Sequence, residues 1–178
     1  MATYKLIESQ VLGSSAASVT FSAIPATYTD LVLKWSCRTN SSSSYYNSNL
    51  EMLVNGSATS IYSYTLIRGN GSGASASAQN AAANTYLPIT AGANNDTATA
   101  NTFASGEVYL PNYNSTAAYK PFSIFAVTET NAAVYPLIIG QASLINSTSP
   151  ITSLTVTAAG WSFVANSSFN LYGISNTI

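Results

Sequence analysis

The chain has 178 residues, 47% of them hydrophobic and only 6% charged, with five basic and six acidic side chains, no His and one Cys. This excludes a basic face for nucleic acid, whose affinity rests on Lys and Arg neutralising phosphates, a polybasic cluster for an anionic membrane, and the common imidazole-dependent catalytic and zinc sites. It also excludes disorder, because twelve Tyr, six Phe and two Trp in a chain of low charge are the reverse of a disordered composition.

A chain of this length fits one domain over 1–178 and buries roughly 70% of its unfolded surface, enough to fold without a metal or a disulfide. Soluble monomers usually carry a surface about a quarter to a third charged. Here the exterior must instead be covered by neighbours or consist of amides and hydroxyls, and the first option points to assembly.

In chain order, Met1-Ala2-Thr3-Tyr4-Lys5-Leu6-Ile7-Glu8 has no long apolar run and a charge of each sign, so it is not expected to be a signal peptide. No apolar run approaches the ~18 residues of a membrane-spanning helix. Val19 to Ser22 is a candidate strand. The clearest alternation is Leu31 to Thr39, with Leu31, Leu33, Trp35 and Cys37 on a buried face and Lys34, Ser36 and Arg38 on the other. Asn40 to Ser44 is a serine-rich turn, followed by strands at Leu50 to Val54 and Ile61 to Ile67. Gly69-Asn70-Gly71-Ser72-Gly73 reads as a flexible loop, the Ala-rich run 74 to 84 as loop or a short helix, and Ala91 to Asn101 as aperiodic loop. Phe103 to Leu110 is a further strand. In Pro121 to Thr130, Phe122, Ile124 and Ala126 share one face and Phe125 and Val127 the other, which predicts a central strand covered on both sides. Tyr135 to Asn146 follows, with Gly140 expected at a bulge or bend, and Ile151 to Ala158 and Ser168 to Ile174 finish the series.

About ten short strands separated by turn signals predict an all-β, antiparallel β-sandwich, for which the jelly roll is the preferred arrangement.

The chemistry on offer is sparse. Cys37 lacks a His partner and is in phase with Leu33 and Trp35, so it reads as a small buried hydrophobe. Glu51, Glu107 and Glu129 fall inside predicted strands, and nothing in the spacing brings two carboxyls into a glycosidase pair. Asn94-Asn95-Asp96 supplies oxygen ligands for calcium, but a turn rich in Asx residues explains the same letters. The glycine-rich loop lacks the Gly-Lys-Ser/Thr that a phosphate loop requires. No catalytic residue, metal ligand or cofactor site is therefore assigned. Tyr45, Tyr46 and Trp161 stand outside the firmest strands, where exposed aromatics anchor interfaces or stack on sugar rings.

Two stretches carry a likeness to known proteins. The order Tyr4-Lys5-Leu6-Ile7-Glu8-Ser9-Gln10-Val11-Leu12, then Ser18-Val19-Thr20-Phe21-Ser22-Ala23-Ile24-Pro25-Ala26-Thr27-Tyr28-Thr29-Asp30-Leu31-Val32-Leu33, and Phe169-Asn170-Leu171-Tyr172-Gly173-Ile174 near the C-terminus, resembles small jelly-roll virion proteins of tailed bacteriophages, which serve as capsid decoration (cement) proteins or tail appendages. The likeness covers about the first forty and last ten residues and is compositional between them. It implies a non-enzymatic structural protein on the capsid surface of a virion, assembled in the host cytoplasm, with the major capsid protein as partner, a homotrimer as its own state, and no nucleic acid, membrane or cofactor. The alternative it leaves open is a receptor- or glycan-binding module of a tail or fibre.

Overall fold

Period-2 alternation of apolar with small polar residues gives strands from one end of the chain to the other, and no helix forms among the described residues. The computed structural model describes residues 2–70, 72–130 and 136–176. Its strands are β1 (Ala2–Val11), β2 (Ser18–Phe21), β3 (Asp30–Cys37), β4 (Asn47–Val54), β5 (Tyr62–Gly69), β6 (Ala74–Asn84), β7 (Leu87–Asn94), β8 (Ala104–Pro111), β9 (Lys120–Thr128), β10 (Leu137–Ile145), β11 (Leu154–Thr157) and β12 (Ser168–Asn176). They form an eight-stranded sheet in the order β1-β12-β3-β8-β9-β10-β5-β6 and a four-stranded sheet in the order β2-β11-β4-β7, with every pairing antiparallel. The protein is thus an all-β sandwich of two antiparallel sheets.

The core lies between the sheets. Leu31, Leu33, Trp35 and Cys37 of β3 are all buried, as the alternation predicts, in one core with Leu50, Met52 and Val54 of β4. Trp35 joins the two layers: its ring lies over Gly106 of β8, and its indole N–H donates to the Gly92 carbonyl of β7 at 2.7 Å. The Cys37 thiol is fully buried and its pKa is pushed far up by that burial, as befits an inert core residue.

Several sequence expectations are corrected. Arg38 does not face solvent; it is 8% exposed. Its guanidinium donates to the carbonyls of Asp96, Ala98, Thr99 and Thr102 and to the Thr102 hydroxyl, at 2.9–3.4 Å. These five acceptors account for a buried cation that has no carboxylate partner among the described residues, and alternation alone cannot anticipate them. Strand β9 is covered on one face only, because the small sheet lies on one side of the large one and Phe125 remains 48% exposed. Gly140 makes neither bulge nor bend: its pairing continues in register to Phe125 and to Ile67, and the Ile67 side chain fills the space above it. Residues 74 to 84 form strand β6, not loop or helix, since pairing with β5 overrides weak local propensity. The aperiodic stretch begins as strand: Ala91 to Asn94 close β7. The N-terminal segment is a ten-residue edge strand, with a bulge between Leu6 and Glu8. Of the predicted elements, Tyr135 and Gly71 lie outside the described residues.

Ionisable residues with shifted pKa values set a pH dependence. Burial raises the pKa of Cys37, Tyr62, Tyr109 and Tyr113, with the hydrogen bond to Asp30 adding to the effect at Tyr109, and burial lowers that of Lys120. In the unfolded chain the thiol and phenols deprotonate from about 8.5 and about 10 respectively, so the unfolded state releases protons that the native state keeps. Their stabilisation is complete below those values and is lost as pH rises through them. Lys120 acts in the opposite sense, because its penalty is relieved as it deprotonates below its ordinary value. Four groups against one predict that the urea midpoint falls between about pH 9 and pH 11; a flat or rising midpoint over that interval would contradict it.

Candidate binding cleft and exposed sheet face

Two segments that are distant in sequence pair with each other and carry the exposed Tyr45 and Trp161. Asn40 N–H donates to the Ser162 carbonyl at 2.9 Å, and the Asn40 Oδ1 accepts from Ser162 N–H at 2.9 Å. The second segment opens with a tight turn in which Ala159 (φ 51°) and Gly160 (φ 89°) are both left-handed and Trp161 N–H closes on the Ala158 carbonyl at 3.1 Å, the geometry of a two-residue hairpin turn. The first segment is anchored from below by Asn95, which is fully buried. The Asn95 amide donates to the Ser43 carbonyl at 2.7 Å, and Thr97 Oγ1 donates to the same carbonyl at 2.7 Å. Asn47 Nδ2 donates to the Tyr45 carbonyl at 2.8 Å.

Asn94 and Asn95 therefore act as structural clasps. The Asn94 amide donates to Thr102 Oγ1 and to the Glu129 carbonyl, and among the described residues no three His, Cys, Asp or Glu side chains come together. The glycine-rich turn is closed in the same manner: Asn70 Oδ1 accepts from the N–H groups of Ser72 and Gly73 at 3.2 and 2.9 Å. Those amides are the ones a phosphate would need.

Between these segments and the β5–β6 hairpin lies a cleft of about 750 Å³. Tyr45 and Trp161, 62% and 44% exposed, both line it, so the structure brings together two of the three aromatics singled out in the sequence. Tyr46 is not among the lining residues; it is half-buried at a left-handed position (φ 61°), and its carbonyl accepts from Asn95 N–H. Among the described residues the remaining lining is mostly Ser, Asn and Thr, with one cation, Arg68, and no carboxylate. Sequence reasoning missed Arg68. Its signal was its place immediately before Gly69-Asn70, where a strand ends and a side chain emerges at a hairpin tip. Glu107, read as a strand acid, pairs within the chain, its carboxylate 3.3 Å from the Lys34 ammonium on the outer face.

That outer face of the eight-stranded sheet is the second feature. Strand pairing sets Phe125 beside Gly140 and Gly140 beside Ile67, while Val127 lies beside Ile138 and Ile138 beside Gly69. The isoleucines lie beside the two glycines: a Cβ on Gly69 would be 3.4 Å from Ile138 Cγ2, and one on Gly140 would be 3.5 Å from Ile67 Cγ1, both ordinary contact distances. Phe125, Ile138 and Ile67, 48%, 50% and 67% exposed, thus form an apolar strip beside the Lys34–Glu107 pair.

Comparison with known proteins finds no match: no family model, no curated protein and no solved structure aligns with this chain.

Proposed function

We propose that this protein is a non-enzymatic virion subunit of a tailed bacteriophage, a capsid decoration protein. In this reading it seats on the outer head shell as a homotrimer, bridges subunits of the major capsid protein and needs no cofactor. The observation that carries the reading is the strip of Phe125, Val127, Ile138 and Ile67 on a sheet face that its own chain leaves open. Covering such a side chain fully is favourable by about 1.5–3 kcal/mol, and the strip is half-exposed, so its burial supplies part of that for each residue. The charges beside the strip are the Lys34 and Glu107 side chains, which already pair at 3.3 Å, so covering the face takes no unpaired charge of that pair out of water. The resemblance of the first forty and last ten residues to phage decoration and appendage proteins supports the same reading. So does the strand order: β2 and β3, then β4 and β5, then β7 and β8 alternate between sheets, an alternation that supports a jelly-roll arrangement.

The test is decoration of coat-protein shells in vitro. Because Phe125 and Ile138 point outward, the pair of substitutions Phe125→Asp and Ile138→Asp is expected to leave the fold intact. It should cut the shell-bound fraction about tenfold or more, the effect of losing roughly 1.4 kcal/mol or more of contact energy. Native binding by this double variant would overturn the assignment of the face.

A further inference from the structure

The cleft has a chemistry that shell attachment does not use. Its volume of about 750 Å³ lies within the ~300–1,000 Å³ of ligand sites. Tyr45 and Trp161 supply exposed ring surface for the C–H faces of a sugar, and lining residues such as Asn47, Asn49 and Thr90 supply amides and hydroxyls for its hydroxyl groups. The aromatic-bearing segments are fixed before any ligand arrives, by the Asn40–Ser162 pairing and the Asn95 clasp. Such preorganisation lowers the ordering cost of binding. Arg68 is oriented by donation from Nε to Ser75 Oγ at 2.9 Å. Among the described residues it has no ion-pair partner, since the ion pair they form is Lys34–Glu107. A guanidinium in a cleft whose described lining holds no carboxylate is matched to a planar anion, and one cation is too few for a nucleic acid backbone.

We propose that this cleft is a saccharide-binding site that takes a short glycan bearing a carboxylate, with the sugar stacked on Trp161 and Tyr45 and the carboxylate on Arg68. The site goes beyond the decoration role and is independent of it: cleft variants leave attachment through the Phe125 face unchanged.

The experiment is a printed array of neutral and carboxylated saccharides probed with the full chain. The strongest binder is then titrated by tryptophan fluorescence. The readout is specific, because of the two tryptophans Trp35 is buried and Trp161 exposed. Carboxylated glycans are expected to be retained and to shield Trp161 from acrylamide. Trp161→Ala and Tyr45→Ala should each weaken binding about tenfold or more with unchanged thermal midpoints, Trp161→Ala being followed by array retention. Arg68→Gln should reduce the carboxylated glycan to the affinity of its neutral counterpart. Retention of no saccharide by the native chain, or native-strength retention by both aromatic variants, overturns the site. Equal binding of neutral and carboxylated glycans, unaffected by Arg68→Gln, overturns the carboxylate.

Discussion

Gly106→Ala is expected to destabilise the protein by about 3 kcal/mol or more, at the upper end of what overpacking a core costs. A Cβ at that position would fall inside the Trp35 ring, and the ring is held on its other side by the hydrogen bond to the Gly92 carbonyl. The indole must therefore give up either its rotamer or its tie across the two sheets. For a chain of this size the melting midpoint should drop by roughly 6–12 °C. Gly140→Ala is the matched control, since its Cβ meets Ile67 at an ordinary 3.5 Å, and it should change stability by less than about 1 kcal/mol. Trp35→Leu in the Gly106→Ala background should cost less than in the native background, because the two residues share one space and their effects do not add. Equal midpoints for Gly106→Ala and the native chain would show that the ring does not pack where the structure places it.

Arg38→Ala is expected to produce the other large loss, about 3 kcal/mol by urea denaturation, since hydrogen bonds to a charged group contribute roughly 1.5–3 kcal/mol each and are not additive. Removing the guanidinium strands the carbonyls of Asp96, Ala98, Thr99 and Thr102 that it serves. Arg38→Lys should recover less than half of the loss, because one ammonium cannot span acceptors that two guanidinium nitrogens reach. The same loop carries Asn95 and Thr97, which hold the Ser43 carbonyl. Hydrogen exchange at residues 41–47 should accordingly quicken in Arg38→Ala. A midpoint shift below about 0.5 kcal/mol would place Arg38 among ordinary surface residues.

How far the sequence could be read follows from which forces write themselves locally. The β3 alternation of Leu31, Leu33, Trp35 and Cys37 is a local signal, and the structure buries all four. Strand β6 was illegible because Ala and Ser have little strand preference of their own; β5 supplies the pairing. Whether both faces of β9 are covered depends on how the narrower sheet is laid on the wider one, a fact of topology that Phe125 and Val127 do not encode. At the cleft, composition and position single out Tyr45 and Trp161. Their meeting depends on Asn40 pairing with Ser162, across 122 positions of chain. Tyr46, adjacent to Tyr45, is turned away by its left-handed backbone, which the letters do not announce.

The most direct test of the decoration reading is an image reconstruction, at a resolution that traces strands, of the phage particle in which that reading places the protein. The decoration reading predicts this sandwich at threefold positions on the outside of the head, with the Phe125–Ile138 face pressed against coat subunits. Density for it on a tail or fibre, or a persistently monomeric protein absent from the particle, would contradict the reading.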